Sequence, residues 1–191
     1  MRSSTLLHGF SPNQVVHPDS EAKIVQVVQN AAAKGMTVRA IGSMHSYAPI
    51  FSTEGICIVL DRYNRLVQID GNLVTVEAGM KISELNELLA NHNLALPIVS
   101  AIDQQTVSGA ILTGTHGGSL HHPSMSGYVH QLRLIRADGS VVSLGPSQPH
   151  FQAAVVSMGL LGIISTVTFQ CVSAFDLEGE SKSLSMDELL E

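Results

Sequence analysis

Residues 20–46 read SEAKIVQVVQNAAAKGMTVRAIGSMHS, and this stretch decides the fold. Over residues 20–34 the apolar side chains recur at the helical spacing, and Gly35 supplies a stop signal. TVRAI (37–41) then predicts a buried strand, and ICIVL (56–60) predicts another. A helix followed by apolar strands favours a β-α-β unit with parallel strands.

The segments after residue 65 are typical of a different arrangement. LVQIDGNLVTVEA (66–78) predicts a hairpin that turns at Gly71-Asn72, and LRLIRADGSVVSL (132–144) predicts another, whose Asp138-Gly139 pair suits a type I′ turn. The remaining predicted elements are helices over 81–93, 106–114 (capped by Thr106) and 151–159 (closed by Gly159), and a strand over 163–172. This part of the chain therefore predicts antiparallel strands combined with helices.

Composition narrows the class of protein. The chain has 191 residues, 45 % of them hydrophobic, which suits one domain, or one domain and part of another, with a sizeable core. No apolar run approaches the roughly 18–20 residues of a membrane span, and the N-terminal apolar stretch is too short for a signal peptide, so a cytoplasmic location is the default. The net charge of −6, without a basic cluster, argues against a nucleic-acid partner. Cys57 and Cys171 lie in apolar runs and are predicted to be buried free thiols.

The last residues, SMDELLE (185–191), contain a capping box, Ser185-x-x-Glu188, which predicts the start of a helix. An isolated helix of this length is not stable. We therefore expect the chain to be part of a longer protein or one half of a split protein.

Residues 106–119, TVSGAILTGTHGGS, carry the densest site signal. Four glycines let a ligand approach the backbone closely, and the hydroxyl groups and backbone N–H groups favour an anionic ligand such as a phosphate. Neither the P-loop pattern nor a Rossmann GxGxxG fits the sequence. A glycine-rich surface loop without a ligand remains the alternative.

Histidines raise two further questions. His116, His121 and His122 lie close together, but no acidic residue lies between them and no HExxH pattern occurs, so no metal site is predicted. His45 follows the strand 37–41 directly, where it could be a ligand, a base, a capped loop residue or a point of covalent attachment.

Four segments together resemble one family: VRAIGSMHSYAPI (38–50), VTVEAGMKISELNELLANHNLALP (74–97), QTVSGAILTGTHGG (105–118) and MGLLGIISTVTFQC (158–171). In this order and spacing the chain resembles, over about residues 14–190, the FAD-binding domain of the vanillyl-alcohol oxidase / p-cresol methylhydroxylase (PCMH-type) superfamily. Within it, the sequence is most similar to the gulonolactone, galactonolactone and arabinonolactone oxidases and to alditol oxidase.

The resemblance implies an α+β fold in two lobes, with FAD between them. A small parallel β-α-β lobe would cover about residues 1–65, and a larger, mainly antiparallel lobe with helices would cover about 66–174. Residues 1–174 would then form the FAD-binding domain, and residues 175–191 would begin a C-terminal substrate domain, the cap.

The resemblance also implies the residues that contact FAD. The loop around the pyrophosphate and flavin would be Ile41, Gly42, Ser43, Met44, His45, Ser46 and Tyr47. The segment beside the isoalloxazine ring would include Ser100 and Ala101, with Thr106 near the phosphates. The second cofactor loop would contain Gly109, Ala110, Thr113, Gly114, His116 and Gly117, and a strand would meet the cofactor through the backbone of Ile163 and Ile164.

Three of these positions have particular consequences. His45 matches the position at which related oxidases attach flavin covalently, from a ring nitrogen to the 8α-methyl group. Met44 replaces a glycine that is frequent in the family, which restricts the loop to φ values that an L-residue tolerates. Ser100 stands where glycine or alanine is common.

The implied activity is oxidation of a polyol or sugar-1,4-lactone hydroxyl by hydride transfer to flavin N5. Because the family's catalytic base and substrate pocket belong to the cap, the resemblance implies no catalytic residue in this chain and no activity of this part alone. The expected partners are FAD and, through the cap, a small polyol or lactone. Alternatives are a non-catalytic FAD-binding half of a split enzyme, a flavin domain related to the peptidoglycan-precursor enolpyruvyl reductase, and a degenerate domain with a structural use.

Overall fold

The computed structural model describes residues 9–190, and the expectations for the N-terminal segment fall largely on residues 1–8, outside this range. The first part of the chain forms a three-stranded parallel sheet in the order β1-β3-β2. Its elements are β1 (Gln14–Val16), α1 (Glu21–Ala33), β2 (Val38–Ile41) and β3 (Ile56–Val59). The predicted parallel β-α-β unit is confirmed.

Helix α1 begins after its Ser20 cap and follows the predicted spacing of apolar residues. The Ser20 hydroxyl accepts a hydrogen bond from the Lys23 amide at 3.4 Å, and Ile24, Val28 and Ala31 are buried.

The prediction that 37–41 is a buried strand is wrong in its burial, because only Ile41 is fully buried. Strand β2 is an edge strand of the parallel sheet, so part of its surface faces a cleft instead of the core.

The second part of the chain forms a five-stranded antiparallel sheet in the order β4-β5-β9-β7-β8. Its strands are β4 (Leu66–Asp70), β5 (Leu73–Glu77), β7 (Val129–Ile135), β8 (Val141–Leu144) and β9 (Ile163–Gln170), while β6 (Leu94–Ala95) and β10 (Val172–Ser173) pair separately. Its helices are α2 (Ile82–Ala90), α3 (Val107–Leu112) and α4 (Phe151–Val155), with a 3₁₀ turn at Met125–Tyr128 and α5 (Met186–Leu190) near the end. Within residues 9–190 no helix is both long and apolar enough to cross a bilayer.

Both predicted hairpins form, but the type I′ turn at Asp138-Gly139 is wrong. Only Gly139 of this pair has a positive φ, at +80°, whereas a type I′ turn requires positive φ at both central residues. The Arg136 carbonyl accepts from the Gly139 amide at 2.9 Å, and the Arg136 amide donates to the Ser140 carbonyl. The loop is therefore a longer turn that ends on a left-handed glycine.

The predicted helix over 151–159 is also too long. Helix α4 ends at Val155, and the next residues turn through Met158 and Gly159, both of which have positive φ. A left-handed residue cannot continue a right-handed helix, so the chain leaves α4 early and reaches the cleft described below.

The two sheets are tied together by Glu21, Arg133 and Ser165. The Arg133 guanidinium donates to both Glu21 carboxylate oxygens, at 2.6 and 3.0 Å, and the Ser165 hydroxyl donates to the same carboxylate at 2.7 Å. The hydrogen bond from Arg133 lowers the pKa of Glu21 below its ordinary value. Because Glu21 begins α1 while the other two residues lie on β7 and β9, this contact fixes the parallel sheet against the antiparallel one.

Candidate functional site

A cleft lies between the carboxyl end of β2, the start of α3 and the chain that follows α4. It consists of two adjoining cavities of about 310 and 420 Å³. The residues that line both are Arg39, Ala40, Ile41, Gly42, Gly109, Leu112 and Gly159. The end of a parallel strand at a domain crevice is where α/β units ordinarily bind ligands.

Gly42 lets β2 approach α3 closely. A Cβ atom at this position would lie 2.3 Å from the Thr106 Oγ1 atom, well inside contact distance. Thr106 caps α3, because its Oγ1 atom accepts a hydrogen bond from the Gly109 amide at 3.2 Å. The absence of a side chain at Gly42 is therefore a requirement of the local packing.

The segment before α3 is held in place by backbone bonds to the start of α2. The Ile82 amide donates to the Gln105 carbonyl at 2.9 Å, and the Val107 amide donates to the Met80 carbonyl at 2.8 Å. The Ser43 hydroxyl donates to the Gln104 carbonyl, which attaches the loop after β2 to the same segment. The two predicted ligand loops therefore lie side by side.

Met44 adopts a left-handed conformation with a φ of +55°. The expectation that its side chain keeps this loop within ordinary φ values is wrong. A left-handed L-residue costs about 1–2 kcal/mol, and here the side chain packs against the small cluster of Ile41, Phe51 and Cys57. Packing thus offsets the strain, and the loop keeps a path that would otherwise favour glycine.

The loop after β2 carries backbone donors beside the smaller cavity. Within residues 9–190, the amide groups of Gly42, Ser43, His45 and Ser46 donate to no protein acceptor, and the His45 ring makes no hydrogen bond. All four residues line this cavity. Neighbouring backbone N–H groups that lack protein acceptors can bind an anion.

The predicted site residues separate into two sets. Those that line the cleft are Ile41, Gly42, Ser43, Met44, His45, Ser46, Tyr47, Thr106, Gly109, Thr113, Ile163 and Ile164. Those that do not line either cavity are Ser100, Ala101, Ala110, Gly114, His116 and Gly117.

Ser100 is linked to the cleft through another residue. Its hydroxyl donates to the Ile102 carbonyl and lies 3.3 Å from the Gln105 Oε1 atom. Gln105 lines the smaller cavity, and its Nε2 atom donates to the Thr115 hydroxyl at 3.2 Å. Ala110 is buried in the core, whereas His116 is exposed and donates from Nδ1 to the Gly117 carbonyl.

The sequence analysis missed Arg39, which lines both cavities. Its Nε atom donates to the Ile50 carbonyl at 2.6 Å, and an Nη atom donates to the Met158 carbonyl at 3.0 Å. Burial lowers the pKa of Arg39. The sequence signal that could have identified Arg39 was a single cation within an otherwise apolar strand.

In the part of the chain that the structure describes, no group of three His, Cys, Asp or Glu side chains could hold a metal ion.

Comparison with solved structures identifies the fold. A cholesterol oxidase from Brevibacterium sterolicum superposes with a TM-score of 0.76 at 19 % identity, over 83 % of this chain and 34 % of that one. An alkyldihydroxyacetonephosphate synthase superposes with a TM-score of 0.75 at 17 % identity, over 83 % of this chain and 31 % of that one. The predicted α+β class, with a parallel and an antiparallel sheet, is confirmed.

Comparison of sequences identifies relatives. The chain is 38 % identical to an L-gulono-1,4-lactone dehydrogenase of Mycobacterium tuberculosis, over 95 % of this chain and 42 % of that protein. It is 36 % identical to the L-gulonolactone oxidase of Mus musculus, over 96 % of this chain and 43 % of that protein. It is 32 % identical to the D-arabinono-1,4-lactone oxidase of Kluyveromyces lactis, over 96 % of this chain and 37 % of that protein. The chain thus spans about two-fifths of the length of these relatives.

The family itself is shown by a match of residues 12–145 to the FAD binding domain. This match and the relatives confirm the resemblance to the PCMH-type flavoproteins. The chain belongs to the FAD binding domain family, and FAD is its cofactor.

Proposed function

We propose that this chain is the FAD-binding domain of a flavin-dependent oxidoreductase that oxidises a hydroxyl group of a polyol or sugar-1,4-lactone. The support is the similarity, over nearly the whole chain, to proteins named as lactone dehydrogenases and oxidases. We further propose that residues 1–174 form this domain, with lobes at about 1–65 and 66–174, and that residues 175–191 lead into a substrate domain.

The observation that carries the proposal is the set of unpartnered amides beside the smaller cavity. The diphosphate of FAD is an anion that needs several donors and little side-chain bulk. Gly42, Ser43, His45 and Ser46 offer such donors, and the missing Cβ at Gly42 keeps the strand end close to Thr106. The residues therefore fit the cofactor at this edge of the parallel sheet.

The other cofactor contacts belong to the same proposal. Thr106 and Thr113 line the smaller cavity, where we propose the diphosphate lies, and Ile163 and Ile164 line the larger cavity. Beyond the cavities, we propose Ser100 and Ala101 beside the isoalloxazine ring. The second cofactor loop is completed by Ala110, Gly114, His116 and Gly117.

FAD held by these residues would supply the electron acceptor, a flavin ring that can accept a hydride at N5. The contribution of this chain is to bind and orient the cofactor. We place no catalytic residue within residues 1–191. The base that takes the hydroxyl proton and the substrate pocket belong, in this proposal, to the further domain.

His45 is proposed as a covalent attachment point for the flavin. The residue lines the smaller cavity, and its ring makes no hydrogen bond within residues 9–190. A ring nitrogen would form a bond to the 8α-methyl carbon, with loss of one N–H and one C–H hydrogen as protons. The two electrons released would pass through the flavin ring to the electron acceptor that reoxidises it. The imidazole must be neutral when it reacts.

Anaerobic flavin reduction tests the proposed activity. The full-length protein is mixed without oxygen with a panel of lactones and polyols, and in parallel with NADPH, while the absorbance near 450 nm is followed. Bleaching by a lactone or polyol is expected. Bleaching by NADPH alone would contradict the proposal in favour of a reductase, and a flavin that no substrate reduces would favour a non-catalytic cofactor-binding protein.

A further inference from the structure

The Arg39 side chain lies where the two cavities of the cleft meet. Its guanidinium is fixed from two walls, because it donates to the Ile50 carbonyl on one side and to the Met158 carbonyl on the other. The second Nη atom lies beside Gly159, where a Cβ atom would come 3.7 Å from it. Two bonds thus fix the plane of the group and leave its other N–H donors without a protein acceptor among residues 9–190.

The charge of Arg39 has no protein counterpart among residues 9–190. The ion pairs in this part of the chain involve Lys23, Arg65, Arg133 and Lys182, and the His17 ring contacts the Asp61 carboxylate. A half-buried cation is ordinarily paired, and an arginine stays protonated even when burial lowers its pKa. The cleft therefore contains an uncompensated positive charge.

This charge lies next to the unpartnered amides. Arg39 and the loop residues Gly42, Ser43, His45 and Ser46 line the same cavity. A guanidinium binds phosphate oxygens through two parallel hydrogen bonds, and charge-assisted bonds are about twice as strong as neutral ones. The amides and the cation together suit an anion of more than one negative charge.

We propose that Arg39 binds the diphosphate of the dinucleotide cofactor, in addition to holding the loops at Ile50 and Met158. The inference rests on the proposed placement of FAD in this cleft. In this role Arg39 strengthens the binding of ligands that carry a diphosphate and does not contribute to the binding of the flavin ring. A purely structural Arg39, which only ties the two loops together, is the competing interpretation.

Titration with FAD and with riboflavin separates these interpretations, because riboflavin has the same ring and no phosphate. Every protein in the titration carries His45→Ala, which prevents the covalent attachment proposed above, and wild type here means wild type at position 39. Binding is followed by flavin fluorescence for this wild type, Arg39→Met, Arg39→Lys and the control Arg62→Met, an exposed cation outside both cavities. Arg39→Met should weaken FAD binding about 10- to 100-fold and change riboflavin binding less than about twofold. Arg39→Lys should give a smaller loss for FAD, and Arg62→Met should match the wild type.

A loss of equal size for FAD and riboflavin, or no loss for FAD, would overturn the assignment. If Arg39→Met does not fold, salt dependence tests the required charge contact, because raising NaCl from about 0.05 to 0.5 M should weaken FAD binding more than riboflavin binding. Equal salt dependence for the two ligands would overturn the inference. A wild type that binds neither ligand would overturn both the inference and the proposed function, whereas FAD binding that Arg39→Met leaves unchanged would overturn the inference alone.

Discussion

Gly42→Ala tests whether the close approach of β2 to α3 is required. The added Cβ would lie 2.3 Å from Thr106 Oγ1 and 3.4 Å from Thr106 Cβ, compared with about 3.5–4.0 Å for an ordinary carbon contact. The overlap is therefore with the hydroxyl. Moving that hydroxyl breaks its bond with the Gly109 amide, which costs about 1 kcal/mol, and residual overpacking costs about 1–3 kcal/mol.

The free energy of unfolding should consequently fall by about 2–4 kcal/mol, measured by urea unfolding without cofactor. Gly118→Ala is the matched control, because open space surrounds that position, and its effect should stay within about 0.5 kcal/mol. In a Thr106→Ala background the clash is absent, so Gly42→Ala should cost less than about 1 kcal/mol. Equal costs in the two backgrounds would refute the argument.

Three further predictions concern Glu21, Cys171 and His45. The pKa of Glu21 is lowered by its bond with Arg133, so its contribution to stability is present above about pH 4.5 and is lost as the pH falls through the folded value. Glu21→Gln should destabilise the protein by about 1–3 kcal/mol at pH 7 and flatten the acid dependence of urea unfolding, whereas the exposed control Glu87→Gln should do neither. An acid dependence that Glu21→Gln leaves unchanged would contradict this. Burial raises the pKa of Cys171 to about 11, so a thiol reagent at pH 8 should label it only after unfolding, and rapid labelling of the native protein would disprove its burial. Acid precipitation of the full-length protein should leave flavin bound to the polypeptide, with the flavin on the His45 peptide by mass spectrometry and lost in His45→Ala; flavin released entirely to the supernatant would exclude the covalent bond.

Local patterns predicted most of the fold. The apolar spacing of α1, its Ser20 cap and the Thr106 cap of α3 each depend on residues within a few positions, and all three are confirmed. The two hairpins were predictable for the same reason, although their turn types depend on the backbone that flanks them. Helix α4 was overestimated because its apolar residues continue past Val155, while the chain turns there to reach the cleft.

The site was less accessible to sequence reasoning, because its contacts join distant residues. The Arg39 guanidinium is held by carbonyl groups 11 and 119 residues further along the chain. Met44 departs from ordinary φ values because the cluster with Phe51 stabilises it, and no local pattern encodes that cluster. The resemblance placed the loop 41–47 at a cofactor, but only the structure shows that the amides of Gly42, Ser43, His45 and Ser46 have no acceptor within residues 9–190.

Hydrogen exchange of the backbone amides in His45→Ala, whose flavin cannot attach covalently, with and without FAD, tests most directly whether the cofactor lies in the cleft. On addition of saturating FAD, peptides that cover residues 38–47 and 104–118 should exchange more slowly, because the loop amides acquire acceptors. The hairpin 66–77 lines neither cavity, so the exchange of its amides should not change. Bound FAD that leaves the exchange of residues 42–46 unchanged, or that protects a different surface, would contradict the account.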